Sequence, residues 1–510
     1  MMKSQKKATS HEKSVIESAR AMLYEQALVY YEGKPIGAVA AIPQRPSRFE
    51  KGAASTLDLN YIEVFIRDNV PVMIYFLVDG KAEIVRDFLD TCLSLQSDAF
   101  ETAGVFPTSF TEHQGSLVAD YGQRAIGRVA SVDASLWWPI LAYIYVQRTG
   151  DRAWACQPKI QIGLRRFLGL ILHPWFRDAP TLQVPDGAFM IDRPLDVWGA
   201  PLEIQTLLHG ALLSSAGLIQ IDLEAKGCCG LLDQSCTKRP KLDDFTEQQV
   251  VQFRQTISWV KRLRNYLLKH YWVNTKSVQV LRRRPTEQYG DSIVNEHNIQ
   301  VETIPHWLQN WMGNEGGYLI GNIRTGRPDF RFFTLGNCLG AIFDVLSPFQ
   351  QQSLFQLIAQ NRVDLIGQMP LRICHPPLED TDWRKKTGYD RKNLPWCYHN
   401  GGHWPCLLWF LAIAVLRHQQ RHSPLREMAI LEVLQSSYEL LLHRLPQQGW
   451  AEYFDGPTGL WTGQQARLNQ TWTITGLLLM HHLLRVNPAD ARIMDLPDLR
   501  ALIKLHRSDT

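Results

Sequence analysis

Long apolar stretches are scarce in this 510-residue chain. The longest beside a motif, Cys406 to Leu416 (CLLWFLAIAVL), falls well short of the roughly 18–20 residues needed to cross a bilayer. It reads as a buried helix, and no membrane partner is expected. The amino terminus, MMKSQKKATSHEKS, has no apolar segment behind its basic residues, which argues against a secretory signal and predicts a mobile polar tail over residues 1–15. An excess of one charge is lacking too: 54 Lys and Arg against 50 Asp and Glu leave a net +4, spread along the chain. Beyond short runs such as Arg282-Arg283-Arg284 there is no basic footprint, so no nucleic acid is expected as a partner. The nine cysteines are odd in number and show no framework spacing, which suits a reducing compartment and predicts a cytoplasmic protein. Cys228, Cys229 and Cys236 come closest to a metal motif but lack a second pair and a nearby histidine, so no metal site is expected there. That segment reads as a loop insertion over about 224–247 between two helices.

Strand-like alternation is nearly missing, and helical periodicity takes its place. After Pro201, the residues Ile204, Leu207, Leu208, Ala211 and Leu212 mark one face of a helix with proline in its first turn. The same period recurs at Tyr61–Leu77, Ser135–Gln147, Ile160–Leu172, Gln249–Leu268, Gly336–Leu346, Trp404–Arg417, Ala429–Leu445 and Thr471–Leu484. Loops such as GGYLIGNIRTGRPDFRFF, NLPWCYHNGGHWP and AEYFDGPTGLWTG separate these segments. The rhythm predicts one all-α domain over 16–490 with a C-terminal extension at 491–510. Helices apolar all round, such as the one after Trp404, must be buried on every side, whereas Gln249–Leu268 keeps a polar face. An inner ring of helices wrapped by an outer ring satisfies both patterns, with the connecting loops gathered at the ends.

Those loops hold chemistry. Met190 to Gln205 (MIDRPLDVWGAPLEIQ) packs Asp192, Arg193, Asp196 and Glu203 around a Trp-Gly-Ala-Pro turn, without the spacing of a solvated helix face. Of 16 tryptophans, Trp198, Trp311, Trp396, Trp404, Trp450, Trp461 and Trp472 adjoin Gly, Asn, His, Arg or a carboxylate. Tryptophan faces pack on the C–H face of a sugar while polar neighbours bond its hydroxyls, although many such residues serve simply as core.

The segments FIRDNVPV, AIGRVASVDASLWW, DGAFMIDRPLDVWGAPLEIQ, GGYLIGN, YHNGGHWPCLLW, AEYFDG and QTWTITG, in order from about residue 55 to 485, resemble the alkaline/neutral invertases of cyanobacteria and plants, glycoside hydrolase family 100. The resemblance implies an (α/α)6 barrel that hydrolyses sucrose to glucose and fructose with inversion, in the cytosol and without metal or cofactor. Family members commonly assemble, which implies a homo-oligomer. Carried over motif by motif, the resemblance implies Asp192 as general acid and Glu452 as general base. Inversion then needs carboxyl groups roughly 6.5–9.5 Å apart with room for one water. Asp192 is expected in the less solvated spot, walled by Met190, Ile191 and Trp198, so that it keeps its proton. On the residues alone, Asp186 or Asp196 could replace Asp192, and Asp455 could replace Glu452. Substrate-binding candidates are Arg67, Asp68, Asp133, Trp198, Glu203, Gln205, His399, Asn400, Trp404, Arg467 and Thr471. The Arg67-Asp68 pair could grip vicinal hydroxyls bidentately or simply neutralise itself. Departures from the family pattern include Cys397, Gln464 and the cysteine-rich insertion. The alternatives are an inverting hydrolase or phosphorylase of another small glucoside, and a non-catalytic sugar-binding protein.

Overall fold

The computed structural model describes all residues except 1–8, 44–58, 125–128, 179, 229–242, 283–303, 325–326, 423–427, 462–465 and 508–510. Twelve of the helices among the described residues alternate between two concentric rings. The inner ring consists of α2 (Asn69–Val78), α4 (Val132–Thr149), α6 (Leu202–Ala225), α8 (Thr334–Ile342), α10 (Leu408–Arg421) and α12 (Thr471–His481). Each packs on the next, and α12 packs back on α2 to close the circle. Outside them lie α1 (Ser10–Ala21), α3 (Ala82–Ser94), α5 (Pro158–Ile171), α7 (Asp244–His270), α9 (Pro348–Gln360) and α11 (Met428–Gln447). This is the α/α barrel that the two kinds of helical pattern call for.

Burial explains the sorting. In α2 every residue from Asn69 to Leu77 is buried, and in α12 every residue from Thr471 to Met480. A helix enclosed on all sides cannot tolerate charge on any face, and α2 (NVPVMIYFLV) carries none. In α3 the buried residues Ile84, Val85, Phe88, Leu89 and Cys92 fall on one face, so the opposite face stays wet. Helix α6 is long and apolar enough to cross a membrane, but 94% of its most apolar window is covered by protein. It is a core helix.

Three sequence expectations are corrected. The predicted polar tail stops short of Ser10: Thr9 caps α1 by accepting from the Glu12 amide at 3.1 Å, and Val15, Ile16 and Ala19 are buried. Residues 1–8 lie outside the described part. The first predicted helix, Tyr61–Leu77, starts only at Asn69, after a short 3-10 turn and a strand at Val64–Phe65. The segment read as the loop GGYLIGNIRTGRPDFRFF is an antiparallel hairpin, Gly317–Arg324 with Arg327–Phe333. Ala200–Pro201, Trp272–Asn274 and Cys374–His375 pair with it, giving a five-stranded sheet that ties together loops at the starts of α6 and α8. Most of the 224–247 insertion, with Cys229 and Cys236, lies outside the described residues; α6 reaches Ala225 and α7 starts at Asp244. The C-terminal segment forms a helix, Leu499–Arg507, packed on α7.

The rings respond oppositely to the same substitution. A methyl group on Gly210 of α6 would stand 2.8 Å from the Phe343 ring and 3.2 Å from Ile140, whereas one on Gly169 of α5 meets nothing within 4 Å. Gly210→Ala is expected to cost about 1–3 kcal/mol by overpacking. Gly169→Ala should add about 0.5–1 kcal/mol through lower backbone entropy in the unfolded chain. Urea midpoints of the two variants check both signs.

Candidate active site

The inner helices begin at one end of the barrel, and their first residues meet there. Arg67 and Asp68 precede α2, Asp133 is the second residue of α4, Glu203 the second of α6, and Thr471 the first of α12. Helix N-termini expose free N–H groups and the positive end of the dipole, which favours negative charge near them. Carboxylates held there are opposed chiefly by the loss of water. Burial pushes Asp68 up to about 7 and Glu203 up to about 8.

The charge cluster of MIDRPLDVWGAPLEIQ divides into scaffold and site. Asp186 accepts the backbone N–H groups of Leu195 (3.2 Å), Asp196 (2.9 Å) and Val197 (3.2 Å), folding the loop on itself. Arg193 turns away to Asp390 at 2.9 Å, and Asp196 pairs with Arg324. Asp192 is left facing the cavity, where Tyr398 Oη donates to its Oδ1 at 3.1 Å and His399 Nδ1 lies 3.5 Å from the same oxygen. Burial raises its pKa, against the pull of Arg67, Lys392 and Arg193 and the Tyr398 hydrogen bond. With Asp186 and Asp196 engaged in the loop itself, neither rival faces the cavity in this way.

Glu452 enters from the loop ahead of α12, where its amide donates to the Arg467 carbonyl at 2.8 Å. Tyr61 Oη donates to its Oε1 at 3.4 Å and Lys392 Nζ lies 3.9 Å from its Oε2, which has no hydrogen-bond partner. Burial raises Glu452, Lys392 opposes the rise, and the negative charge of Asp192 adds to it. The two carboxylates thus share Lys392 and Tyr398 as neighbours and act on one another electrostatically. Asp455, the rival of Glu452, instead accepts from the amide and hydroxyl of Thr458 at 2.8 and 2.7 Å.

Burial does not separate the pair in the way expected. The side chain of Asp192 keeps 27% exposure and that of Glu452 only 4%, so the presumed acid is the wetter of the two. Met190 and Ile191 are buried beside it, but Trp198 stands 47% exposed, its ring under Arg324 and its Nε1 donating to Asp196.

Among the other candidates, Arg67 hydrogen-bonds Asp133 at 3.1 Å and forms a longer ion pair with Asp68 at 3.7 Å, so it is shared between two carboxylates. Asp68 Oδ1 and Glu203 Oε1 are buried without hydrogen-bond partners. His399 stacks on Trp404, and burial with the nearby cations holds it neutral. Trp404 is 1% exposed and donates to the Tyr398 carbonyl, so it backs the site without presenting a face to the cavity. Arg467 lies over the Tyr61 ring at 4.7 Å. Two candidates are corrected: Gln205 clamps both backbone groups of Leu182 (2.9 and 2.8 Å), and Asn400 does the same to Leu378 (2.6 and 2.8 Å). Their amides are spent on loops. Three residues were missed. In the sequence Tyr61 stands only at the start of a periodic segment and Tyr398 only within a motif, and Lys392 lies in a charged run where Arg391 is exposed and Lys392 is 6% exposed. Among the described residues no group of three or more His, Cys, Asp or Glu is placed to hold a metal ion.

Two carboxylates linked through Lys392 and Tyr398 at one barrel end are the kind of acid pair a glycoside hydrolase uses. The fold agrees: a solved glycosidase variant covers 94% of this chain and 100% of its own at a TM-score of 0.51, with 12% identity. Residues 20–488 match the alkaline and neutral invertase family, to which the chain belongs. Cytosolic invertase 1 of Oryza sativa subsp. japonica is 36% identical over 94% of this chain and 79% of its own. The mitochondrial neutral/alkaline invertase 1 of the same plant is 36% identical over 97% and 73%. The chloroplastic alkaline/neutral invertase E of Arabidopsis thaliana is 36% identical over 92% and 72%.

Scaffold and site acids should part in stability. Asp186→Ala leaves three backbone donors without their acceptor and is expected to cost roughly 1–3 kcal/mol. Asp192→Asn replaces a desolvated carboxyl by an amide of the same shape and should melt no lower than the parent. Thermal unfolding of both variants decides the comparison.

Proposed function

We propose that the protein hydrolyses sucrose to glucose and fructose by a single displacement, with Asp192 as general acid and Glu452 as general base. The observation that carries the assignment is the place of Lys392. Its ammonium is within ion-pair range of Glu452 and lies 3.9 Å from the centroid of the Tyr398 ring, whose hydroxyl reaches Asp192. A cation nearer one of two interacting carboxylates favours ionisation of that one, and the first negative charge then makes the second acid hold its proton. The family motifs make Glu452 the partner that deprotonates water and Asp192 the one that serves the leaving oxygen, and the nearness of Lys392 supports an ionised Glu452. Arg67 and Arg193 pull on Asp192 as well, so Lys392 favours this division of labour without fixing it alone.

The remaining groups suit a sugar ring. Arg67 with Asp133 offers a fixed guanidinium, and Asp68 and Glu203, with raised pKa values, can each accept from or donate to a hydroxyl. Neutral His399 can donate from Nδ1. Hydrolysis is favoured over phosphorolysis because the carboxylate of Glu452 would repel a phosphate anion, whereas it accepts a hydrogen bond from water. Trp198, out at the rim, is available to a second ring. The names of the relatives divide between cytosol, mitochondrion and chloroplast. The seven described cysteines are all free, which supports a cytoplasmic location for this chain. A homo-oligomer rests on the family resemblance alone, and sedimentation of the purified protein tests it.

Purified protein should release glucose from sucrose, and Asp192→Asn and Glu452→Gln should each lower kcat by roughly 10²–10⁴-fold. Near-normal turnover in a folded variant would reject that residue's role. Proton NMR of the first-formed anomers tests inversion and identifies the ring in the cleavage subsite. For Lys392→Met the sign is fixed: losing the cation raises the pKa of Glu452, so the acidic limb of kcat/KM moves to higher pH. The alkaline limb, set by Asp192, should move up less. An unmoved acidic limb would sink the role given to Lys392.

A further inference from the structure

Behind the two loops that carry His399 and Glu452 lies a second cavity, of about 620 Å³. Arg362, Asp364, Gln368, Arg372, Trp396 and Ser437 line it, and neither catalytic candidate does. Its central feature is Arg372, 4% exposed, with its guanidinium 4.7 Å from the centroid of the Trp396 ring. Nε donates to His403 Nε2 at 3.2 Å, and Nη1 lies 3.1 Å from His375 Nδ1. His403 can accept because its other nitrogen faces the Met369 carbonyl, which fixes the proton on Nδ1. Burial and Arg372 itself keep both rings neutral, His403 at about 3 and His375 at about 4.

A buried guanidinium held by two neutral rings has its hydrogen bonds met and its charge uncancelled. Asp364 and Asp455 act on it only across longer distances, without an ion pair. Arg362 brings a second guanidinium to the exposed mouth, so the lining carries two positive charges against the one carboxylate of Asp364. Ser437 Oγ, on α11, is fully buried and has no hydrogen-bond partner. Such a lining asks for a ligand with a compact anion at one end and hydroxyls at the other. The volume lies in the roughly 300–1,000 Å³ range of small-molecule sites and is far larger than phosphate alone requires.

We propose that this cavity binds a phosphoryl group, carried by a small hydroxylated molecule such as a sugar phosphate. Arg372 and Arg362 take the phosphoryl oxygens; Gln368 and Asp364 meet the hydroxyls. The same walls reach the catalytic end. Trp396 lies two residues before Tyr398, and Gly456, also in the lining, lies four after Glu452. The Gly456 amide donates to the Trp396 carbonyl at 2.9 Å, and His403 and Phe454 exchange backbone hydrogen bonds at 2.9 and 2.8 Å. A ligand drawn to Arg372 therefore presses on the loop of Glu452 and on the loop of Tyr398, whose hydroxyl bonds Asp192.

Calorimetric titration of the full chain with glucose 6-phosphate, inorganic phosphate and glucose tests the site without relying on turnover. Glucose 6-phosphate should bind, inorganic phosphate should compete with it, and saturating glucose should displace neither. Arg362→Glu, at the exposed mouth, should weaken glucose 6-phosphate binding by roughly tenfold or more while leaving basal sucrose hydrolysis unchanged. Arg372→Gln should abolish binding, with the circular dichroism spectrum checking that it folds. Equal affinity for both phosphates keeps the site and names the free anion as its ligand. No heat with either phosphate, or undiminished binding to Arg362→Glu, overturns the proposal.

Discussion

Closure of the inner ring, α12 against α2, is the constraint on which the site depends. It brings residues numbered in the sixties beside residues numbered above 450. The seam is stitched by backbone bonds, from Ile42 to Asn469 at 3.0 Å and from Thr471 to Ala40 at 2.9 Å. Tyr61 reaches Glu452 across it. Because the inner helices start at the same end, their positive poles converge on one cavity, and acids can be crowded there at a cost that a lone pocket in the core would not offset. The outer ring contributes packing and leaves the chemistry to the loops.

Crowding makes the cavity an electrostatic system rather than a set of separate residues. Asp68, Asp192, Glu203 and Glu452 all titrate higher than free carboxyls, each chiefly because water has been removed. Arg67 and Lys392 are the cations set among them, and His399 beside them is neutral. Two cations among four acids favour some protonated and some ionised groups near neutral pH. Acid–base catalysis needs that mixture.

The ring architecture was legible in the chain because helices buried all round and helices with a wet face differ in composition. The two carboxylates were legible only through the family motifs. The residue-level reading left Asp186, Asp192 and Asp196 level, since what separates them is whether backbone amides, an arginine or the cavity lies opposite, and each partner is distant in sequence. Gln205 and Asn400 sit in the right motifs, yet a side-chain amide that bonds hydroxyls in one setting clamps a strand in another. Lys392 was invisible for a related reason: exposed and buried lysines read alike until the fold encloses one of them. The hairpin Gly317–Phe333 was misread as a loop because its glycines and arginines hide a strand that is stabilised mainly by neighbours far along the chain.

The partnership of α1 with α11 and α12 bears on how the molecule is made. Glu12 receives the Tyr438 hydroxyl at 2.8 Å and Arg485 at 3.4 Å, so α1 is made long before the partners it packs against. Until then Val15, Ile16 and Ala19 present an oily stripe with nothing to cover it. The circle can close only once α12 has been made. A nascent chain stalled before its final hundred residues would be a customer for chaperones, with both a sticky helix and an open seam on display.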